Sequence, residues 1–387
     1  MNVSKRLFPF PLGVFLLIAV GFVLIFPVAG TSAIQESEKA SFATGREAYM
    51  AACVNCHGAD GKGMPQSTVG FDAPLPDFTD CDFAAREPDA DWWIVAHEGG
   101  PIRGFSELMP AFGEALEEKD IEQAIVYVRT FCTDREWPRG ELNLPRPLVT
   151  GKAYVEDEAV FNAAFNEGMD SITGKFIYEQ RFGPRNQLEF VIPFGWGKAP
   201  ASSAPGSPSD WSSNLGDVAV AVKRALYHDW KRGSILSAAA EVILPTGDEA
   251  DGFGKGTFIL EPFVTFGQVL KSDFFLHSQA GLELSADRDK AENEVFLRLA
   301  LGRSFTSGRF GRTWSPMIEL LTSRELVSGE SLHFDVVPQM QVTLNKRQHI
   351  MFNIGVRIPV NKTGERDWQV LVYLLWDWFD GGFFEGW

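Results

Sequence analysis

The sequence of 387 residues has little positive charge and little cysteine. Its 35 Lys and Arg are outnumbered by 51 Asp and Glu, which gives a net charge of −16. Because nucleic-acid binding needs clustered basic side chains that neutralise phosphates, we expect no nucleic-acid partner. Four cysteines in a chain of this length exclude a small disulfide-rich fold. Long apolar runs are missing beyond residue 33, so no later segment is expected to cross a membrane as a helix.

Glycine and aromatic residues, in contrast, are abundant. The chain has 37 Gly, 13% aromatic residues and 45% hydrophobic residues, and only 22% of its residues are charged. This apolar content excludes a disordered chain. Glycine and aromatic residues without long apolar runs are typical of many strands joined by tight turns.

One apolar run lies near the N-terminus. Lys5 and Arg6 precede an apolar stretch over residues 7–28, and small residues follow up to Ala33. This order predicts a secretory signal over residues 1–33, with cleavage after Gly30 or Ala33. The run is also long enough, at about 20 residues, to remain as an inner-membrane anchor. Under both alternatives the rest of the chain is exported.

The exported part divides in two by composition. Residues 36–137 contain all four cysteines and short helical patterns, and they are predicted to form a small all-α domain. Residues 138–150 are rich in proline and lack periodicity, which predicts a linker. Residues 151–387 alternate with a period of two, which is typical of strands.

The alternation predicts an all-β antiparallel barrel of about 12 strands that crosses the outer membrane. Ile350, Phe352, Ile354, Val356 and Ile358, for example, alternate with Met351, Asn353, Gly355 and Arg357. The segments are about ten to thirteen residues long, which suits tilted membrane strands, and short turns alternate with long polar loops. An even strand number places both barrel ends on the short-turn, periplasmic side. Aromatic residues near strand ends suit the membrane interfaces, namely Phe194, Trp196, Trp368, Trp376 and Trp378. A soluble β-sandwich is the alternative.

Polar residues of the barrel are expected to face its interior. They include His277, Glu283, His333, Asp335 and Arg357. Because a barrel requires a polar lumen anyway, we expect no catalytic role for them. We also expect a bulge at Pro338, and tolerance of a charge at Gly355 but not at Val356, the neighbour on the lipid side.

The motif Cys53-Val54-Asn55-Cys56-His57 carries the clearest chemical signal. Two thiols at this spacing can each form a thioether bond to a haem vinyl group, and the adjacent His can then bind the iron as proximal ligand. A zinc site would need two further ligands nearby, and a thioredoxin-like pair would need a cytosolic βαβ unit. The motif therefore predicts one covalently attached haem c.

Residues from about 43 to 131 resemble a single-haem class I cytochrome c domain. In that family a loop methionine followed by proline precedes a final helix that carries aromatic residues; Met109-Pro110 and the helix with Tyr127 and Phe131 fit this arrangement. The resemblance implies that Met109 is the distal iron ligand. Met109 as a core side chain, and His97 or Met64 as the ligand, are the alternatives.

The remaining cysteines, Cys81 and Cys132, are expected to form a disulfide, because export permits one. Two buried free thiols are the alternative.

These features together favour an electron carrier rather than an enzyme: a periplasmic haem domain tethered to an outer-membrane barrel, with periplasmic redox proteins as partners. If His57 and Met109 both bind the iron, no open position remains for substrate chemistry. The alternatives are a transport channel with a cytochrome appendage, and a cytochrome subunit of a larger oxidoreductase anchored in the inner membrane and facing the periplasm.

Overall fold

The computed structural model describes residues 39–71, 75–169, 171–198, 211–249, 252–307, 311–364 and 366–378. The predicted signal or anchor, residues 1–33, lies outside the described residues. Within these ranges, no helix has both the length and the apolar character needed to cross a bilayer.

The described part of residues 39–137 is helical. Its α-helices are α1 (Gly45–Ala52), α2 (Val54–His57), α3 (Gln66–Val69), α4 (Cys81–Ala84), α5 (Asp89–Glu98) and α6 (Glu118–Val128). Helix α1 begins at a capping box: the Thr44 hydroxyl accepts a hydrogen bond from the Glu47 backbone N–H, and the Glu47 carboxylate accepts one from the Thr44 N–H, each at 3.2 Å. This cap fixes the start of the helix that leads to Cys53.

Helices α1 and α6 cross at close range beside Gly45. A Cβ atom at Gly45 would lie 1.9 Å from the carbonyl oxygen of Gln123, so a side chain there cannot fit without moving the helices apart. The Tyr49 ring packs against the rings of Tyr127 and Phe131, with centroids 5.3 and 5.5 Å away. The end of the helical domain around α6 thus packs against α1 through these aromatic residues.

The remaining described residues form twelve antiparallel strands. These are β1 (Glu158–Asn166), β2 (Ser171–Phe182), β3 (Asn186–Lys198), β4 (Trp211–Leu215 and Ala219–Asp229), β5 (Ser234–Ile243), β6 (Ile259–Val269), β7 (Phe274–Ser285), β8 (Glu294–Arg303 and Phe305–Ser307), β9 (Arg312–Glu325), β10 (His333–Thr343), β11 (Ile350–Pro359) and β12 (Gln369–Asp377). Strands β4 and β8 each consist of two pieces that pair with one neighbour, β3 and β9 respectively.

The sheet closes on itself. Strand β1 pairs with β12 over its full length, from Glu158 opposite Asp377 to Asn166 opposite Gln369. The predicted fold class, a small all-α domain followed by a closed antiparallel barrel of twelve strands, is confirmed. The alternative of a soluble β-sandwich is wrong, because one continuous sheet forms the whole wall.

The strands alternate between an apolar outer face and a polar inner face. In β8, Leu297 and Leu301 are 46% and 44% exposed on the outside, whereas Ala300 between them is fully buried on the inside. Outward side chains on other strands are equally exposed, among them Val264, Ile318, Leu320, Ile354, Ile358 and Leu374. Buried polar side chains line the inside, among them Gln187, Thr265, Gln279, Glu319, Gln341 and Asn353. Because strand side chains alternate in direction, this pattern gives the barrel an apolar belt.

Two details of the wall differ from the sequence expectations. No bulge occurs at Pro338: the ladder with β9 keeps one register on both sides, with Ile318 opposite Pro338. The proline points outward, and its missing N–H interrupts only the pairing with β11. Gly355 does face the inside, but a Cβ atom there would lie 2.6 Å from Leu148 and 2.7 Å from Gln339, so the tolerance expected for Gly355→Arg is wrong.

Residues 142–157, here called the lumen segment, fold back into the barrel. Leu142, Tyr154 and Glu156 are each at most 2% exposed. The segment enters at the end where β1 begins, which is also the end of the short connections 183–185, 230–233 and 344–349. The proline-rich stretch predicted as a linker thus joins the two domains, but from Leu142 onward it lies inside the barrel.

The helical domain contacts the same, short-turn end of the barrel. Arg86 lies 2.5 Å from the Asp157 carboxylate. His349, in the turn between β10 and β11, lies between two carboxylates: its Nδ1 is 2.5 Å from Asp377, and its Nε2 is 3.4 Å from Glu87 of the helical domain. These contacts hold the helical domain against the mouth of the barrel.

Candidate haem-binding site

The end of α1 and the short helix α2 position Cys53, Cys56 and His57. The N–H of Cys53 donates to the Tyr49 carbonyl, and the N–H of His57 donates to the Cys53 carbonyl, at 2.8 and 2.9 Å. The Tyr49 hydroxyl donates to the carbonyl of Gly58 at 2.6 Å, which ties the turn after the motif to α1. The motif is therefore held by hydrogen bonds to backbone carbonyls, and none of these bonds uses the thiols or the imidazole.

The two thiols of the motif are free and half-buried. Burial, together with the neighbouring Cys56, raises the pKa of Cys53 to about 11, so its thiol is protonated near neutral pH. The other cysteine pair, Cys81 and Cys132, forms a disulfide between α4 and the segment that follows α6, with Cα atoms 5.2 Å apart. The cysteines thus fall into one bonded pair and one free pair.

The His57 imidazole is suited to binding a metal. Burial lowers its pKa to about 4, which keeps the ring neutral, the form in which imidazole coordinates iron. Its ring lies stacked against Phe78 with centroids 5.0 Å apart. Its Nδ1 atom is buried without a hydrogen-bond partner among the described residues. Two free thiols beside a neutral, half-buried imidazole fit a haem group bound through Cys53, Cys56 and His57.

Met109 lies on a separate loop between α5 and α6. It is half-buried, and its carbonyl accepts a hydrogen bond from the Gly100 N–H at 3.0 Å. A Cβ atom at Gly100 would lie 3.1 Å from the Cβ of Met109, so the glycine lets the methionine loop pack closely on the end of α5.

His97 and Met64, the alternatives to Met109 as distal iron ligand, make other contacts in the structure. The His97 ring stacks on Trp93 with centroids 4.5 Å apart, and its Nδ1 lies 2.7 Å from the Glu98 carboxylate. A Cβ atom at Gly113 would lie 2.5 Å from the His97 ring. Met64 directly follows the motif region, and its N–H donates to the Cys56 carbonyl at 2.8 Å. His97 thus has the contacts of a packing residue.

Sequence reasoning missed several aromatic and charged residues around the motif. Phe78 stacks on His57 and also contacts Trp92, with centroids 5.3 Å apart. The Arg129 guanidinium lies 3.7 Å from the Trp92 ring centre, and its Nε donates to Asp89 at 2.7 Å. A lone Phe between turn residues gives no periodic signal, so only the folded chain reveals its place.

The polar barrel residues singled out from the sequence do not form a second site. His277 Nε2 lies 3.0 Å from the Pro145 carbonyl, and Asp335 pairs with Arg357 at 2.6 Å. Across the described ranges, no group of three or more His, Cys, Asp or Glu side chains is arranged to hold a metal ion.

In comparisons with known proteins, the helical domain and the barrel match different families. Residues 40–128 match the family model described as cytochrome C oxidase, cbb3-type, subunit III, so the helical domain is a cytochrome c-type domain. No match was found among curated proteins.

The barrel is similar to solved outer-membrane channels and porins. An outer-membrane channel from Pseudomonas putida F1 is 11% identical with a TM-score of 0.40, over 61% of this chain and 100% of that chain. The NanC porin is 9% identical with a TM-score of 0.40, over 57% and 99% of the two chains. A KdgM porin in complex with disordered oligogalacturonate is 8% identical with a TM-score of 0.35, also over 57% and 99%.

A second family model matches the barrel itself. It is described as putative MetA-pathway of phenol degradation, and it matches residues 159–366, from β1 to the loop before β12. The match therefore covers more than half of the 387-residue chain. The chain therefore belongs to the family described as putative MetA-pathway of phenol degradation, and it carries a cytochrome c-type domain ahead of its barrel.

Proposed function

We propose that the protein is an electron carrier whose haem c domain is held at the periplasmic mouth of an outer-membrane barrel. Haem would be attached covalently through Cys53 and Cys56, with His57 as proximal ligand and Met109 as distal ligand. Bound there, the iron would supply a one-electron redox centre. The partners would be periplasmic redox proteins.

One observation carries the haem assignment: the domain bonds Cys81 to Cys132 but leaves Cys53 and Cys56 free beside a neutral His57. In an exported protein, disulfides form readily, so free thiols at this spacing are best explained by another covalent use. Thioether attachment next to a neutral imidazole is that use.

The placement of the chain rests on the barrel. Its outward apolar side chains would face lipid, and its polar interior would be shielded from lipid. In outer-membrane barrels the short turns lie on the periplasmic side. The helical domain contacts the short-turn end, so it would lie in the periplasm, where redox proteins can reach it.

Substitution of cysteine pairs tests the haem assignment. In cells with the haem-maturation machinery, Cys53→Ser/Cys56→Ser should lose the haem that survives acid–acetone extraction. Cys81→Ser/Cys132→Ser is the matched control, and it should keep covalent haem. Equal haem retention in both double variants would contradict the proposal.

The distal ligand is tested separately. The oxidised protein should show the weak near-infrared band of methionine–iron ligation, and Met109→Ala should abolish it. Met64→Ala is the control that should leave the band in place. A band that persists in Met109→Ala would assign the role to another residue, with His97→Ala as the next variant.

A transport channel with a cytochrome appendage is the second candidate. The closed wall with a polar inner face favours it, since such a wall can surround a water-filled path. Single-channel conductance separates the two functions, because an electron carrier needs no open pore.

A further inference from the structure

The loop that carries Met109, residues 99–109 and here called the methionine loop, contacts the short-turn end of the barrel. The Arg347 guanidinium, in the turn between β10 and β11, lies 4.6 Å from the centre of the Phe105 ring. Gly104 lies against the same arginine, since a Cβ atom there would be 3.9 Å from Cγ of Arg347. A side chain of the barrel thus covers one side of the methionine loop.

Arg103 gives the methionine loop a second contact with the barrel. Its guanidinium donates to the Asp91 carboxylate on α5 at 2.8 and 3.0 Å, which fixes this part of the loop to the helical domain. A Cβ atom at Gly311, in the connection between β8 and β9, would lie 3.4 Å from Nη1 of Arg103. The methionine loop therefore lies between α5 and two connections of the barrel.

A short path of backbone hydrogen bonds joins Phe105 to Met109. The N–H of Phe105 donates to the Gly100 carbonyl, and the N–H of Gly100 donates to the Met109 carbonyl, each at 3.0 Å. A Cβ atom at Gly100 would lie 2.3 Å from the Ser106 carbonyl oxygen and 3.2 Å from Cβ of Phe105. Because these residues are close-packed, a displacement of Phe105 also displaces Met109.

The turn that carries Arg347 is itself held in place. The side chain of Asn345 accepts hydrogen bonds from the N–H groups of His349 and Ile350, at 2.9 and 3.0 Å. The side chain of Gln348 donates to the carbonyl of Gly311 in the neighbouring connection at 3.2 Å. These bonds join the two connections that contact the methionine loop, so the loop rests on a fixed support.

We propose that Arg347 is a positioning residue for the distal iron ligand: through Phe105 it holds the methionine loop in the conformation that keeps Met109 on the iron. This inference rests on the proposed function, because it requires Met109 to bind the haem iron. A methionine ligand raises the reduction potential of haem iron. A methionine loop without the contact to Arg347 would open more often, which would lower the potential and admit other ligands to the iron.

Imidazole binding to the oxidised full-length protein tests this role, because imidazole competes with Met109 for the iron. Arg347→Ala should bind imidazole about two- to five-fold more tightly, the factor that corresponds to about 0.5–1 kcal/mol for a partly exposed cation–π contact. Arg347→Lys keeps the charge but loses the planar group, and it should lie between wild type and Arg347→Ala. Arg232→Ala is the matched control, since Arg232 lies in another short turn at the same end and pairs with Asp229 of that turn.

Three further measurements separate positioning from a general loss of structure. Arg347→Ala should have a lower reduction potential than wild type, and the backbone amides of residues 100–109 should exchange hydrogen faster. Covalent haem and heat-modifiable migration on a gel should stay as in wild type. Phe105→Leu changes the other side of the contact and leaves the barrel intact, so it carries the test if Arg347→Ala does not assemble. The double variant should bind imidazole no more tightly than the tighter-binding single variant.

The outcomes distinguish this inference from the proposed function. A wild type that shows the near-infrared methionine band, with equal imidazole affinity in wild type and Arg347→Ala, would overturn the positioning role and leave the haem ligands as proposed. An equal gain in affinity in Arg232→Ala would overturn the role as well, because it would assign the effect to charge at the barrel end. A wild type without the methionine band would refute Met109 as ligand, and with it the role of Arg347.

Discussion

Substitution of Gly45 by alanine probes the helix crossing that supports the haem motif. The added Cβ atom would lie 1.9 Å from the Gln123 carbonyl oxygen, whereas close carbon–oxygen contacts are about 3.3 Å. Helices α1 and α6 must therefore move apart by roughly 1 Å or more. This movement loosens the packing of Tyr49 on Tyr127 and Phe131. Overpacking of this kind costs about 1–3 kcal/mol.

For a domain of this size, about 1 kcal/mol shifts the midpoint of thermal unfolding by about 4–8 °C. Gly45→Ala should therefore lower the midpoint of the haem domain by roughly 4–24 °C, measured in the full-length protein by circular dichroism in the haem Soret band. Arg46→Ala, the exposed neighbour on the same helix, is the control and should change stability by less than about 0.5 kcal/mol. An unchanged midpoint in Gly45→Ala would refute the close crossing.

Two further predictions concern the barrel. Val264→Arg places a charge on the outer belt and should destabilise the barrel in the membrane by about 2–4 kcal/mol. Thr173→Arg places the same charge on the exposed inner face and should be tolerated. Loss of heat-modifiable migration on a gel measures the difference in assembly between the two variants. Equal tolerance would argue against a lipid-facing belt. Burial alone would lower the pKa of His349, but Asp377 and Glu87 raise it well above its usual value. Protonated His349 therefore stabilises the folded chain fully below the pKa of about 6.5 that it has in the unfolded chain, and this stabilisation is lost as pH rises through its raised pKa in the folded chain. His349→Gln should lower the thermal midpoint most at pH 6 and least at high pH, and a pH-independent difference would contradict this.

The strands could be predicted because their signal is local. Alternation of Val295, Leu297 and Leu301 with Glu294 and Arg298 reports the two faces of β8 without knowledge of its neighbours. Antiparallel neighbours joined in sequence then give the topology. The haem motif is local for the same reason, since its thiols and its imidazole are set by spacing within one helix end.

The lumen segment could not be predicted, because its partners are distant in sequence. The Leu148 N–H bonds to Gln339, 191 residues away, and the Tyr373 hydroxyl lies beside the Arg146 carbonyl, 227 residues away. A proline-rich stretch without periodicity looks the same whether its backbone groups are bonded to water or to a barrel wall. Gly355 shows the consequence: parity places it inside, but parity does not reveal that Leu148 occupies the space in front of it.

The most direct test of the account is a haem stain of the outer-membrane fraction after electrophoresis in detergent, with and without boiling. If one chain joins covalent haem to a folded membrane barrel, the haem-stained band should shift in migration on boiling and keep its stain. The Cys53→Ser/Cys56→Ser variant should show the same shift by antibody detection, without the haem stain. Haem stain found only in the soluble fraction, or a stained band that does not shift on boiling, would contradict the account.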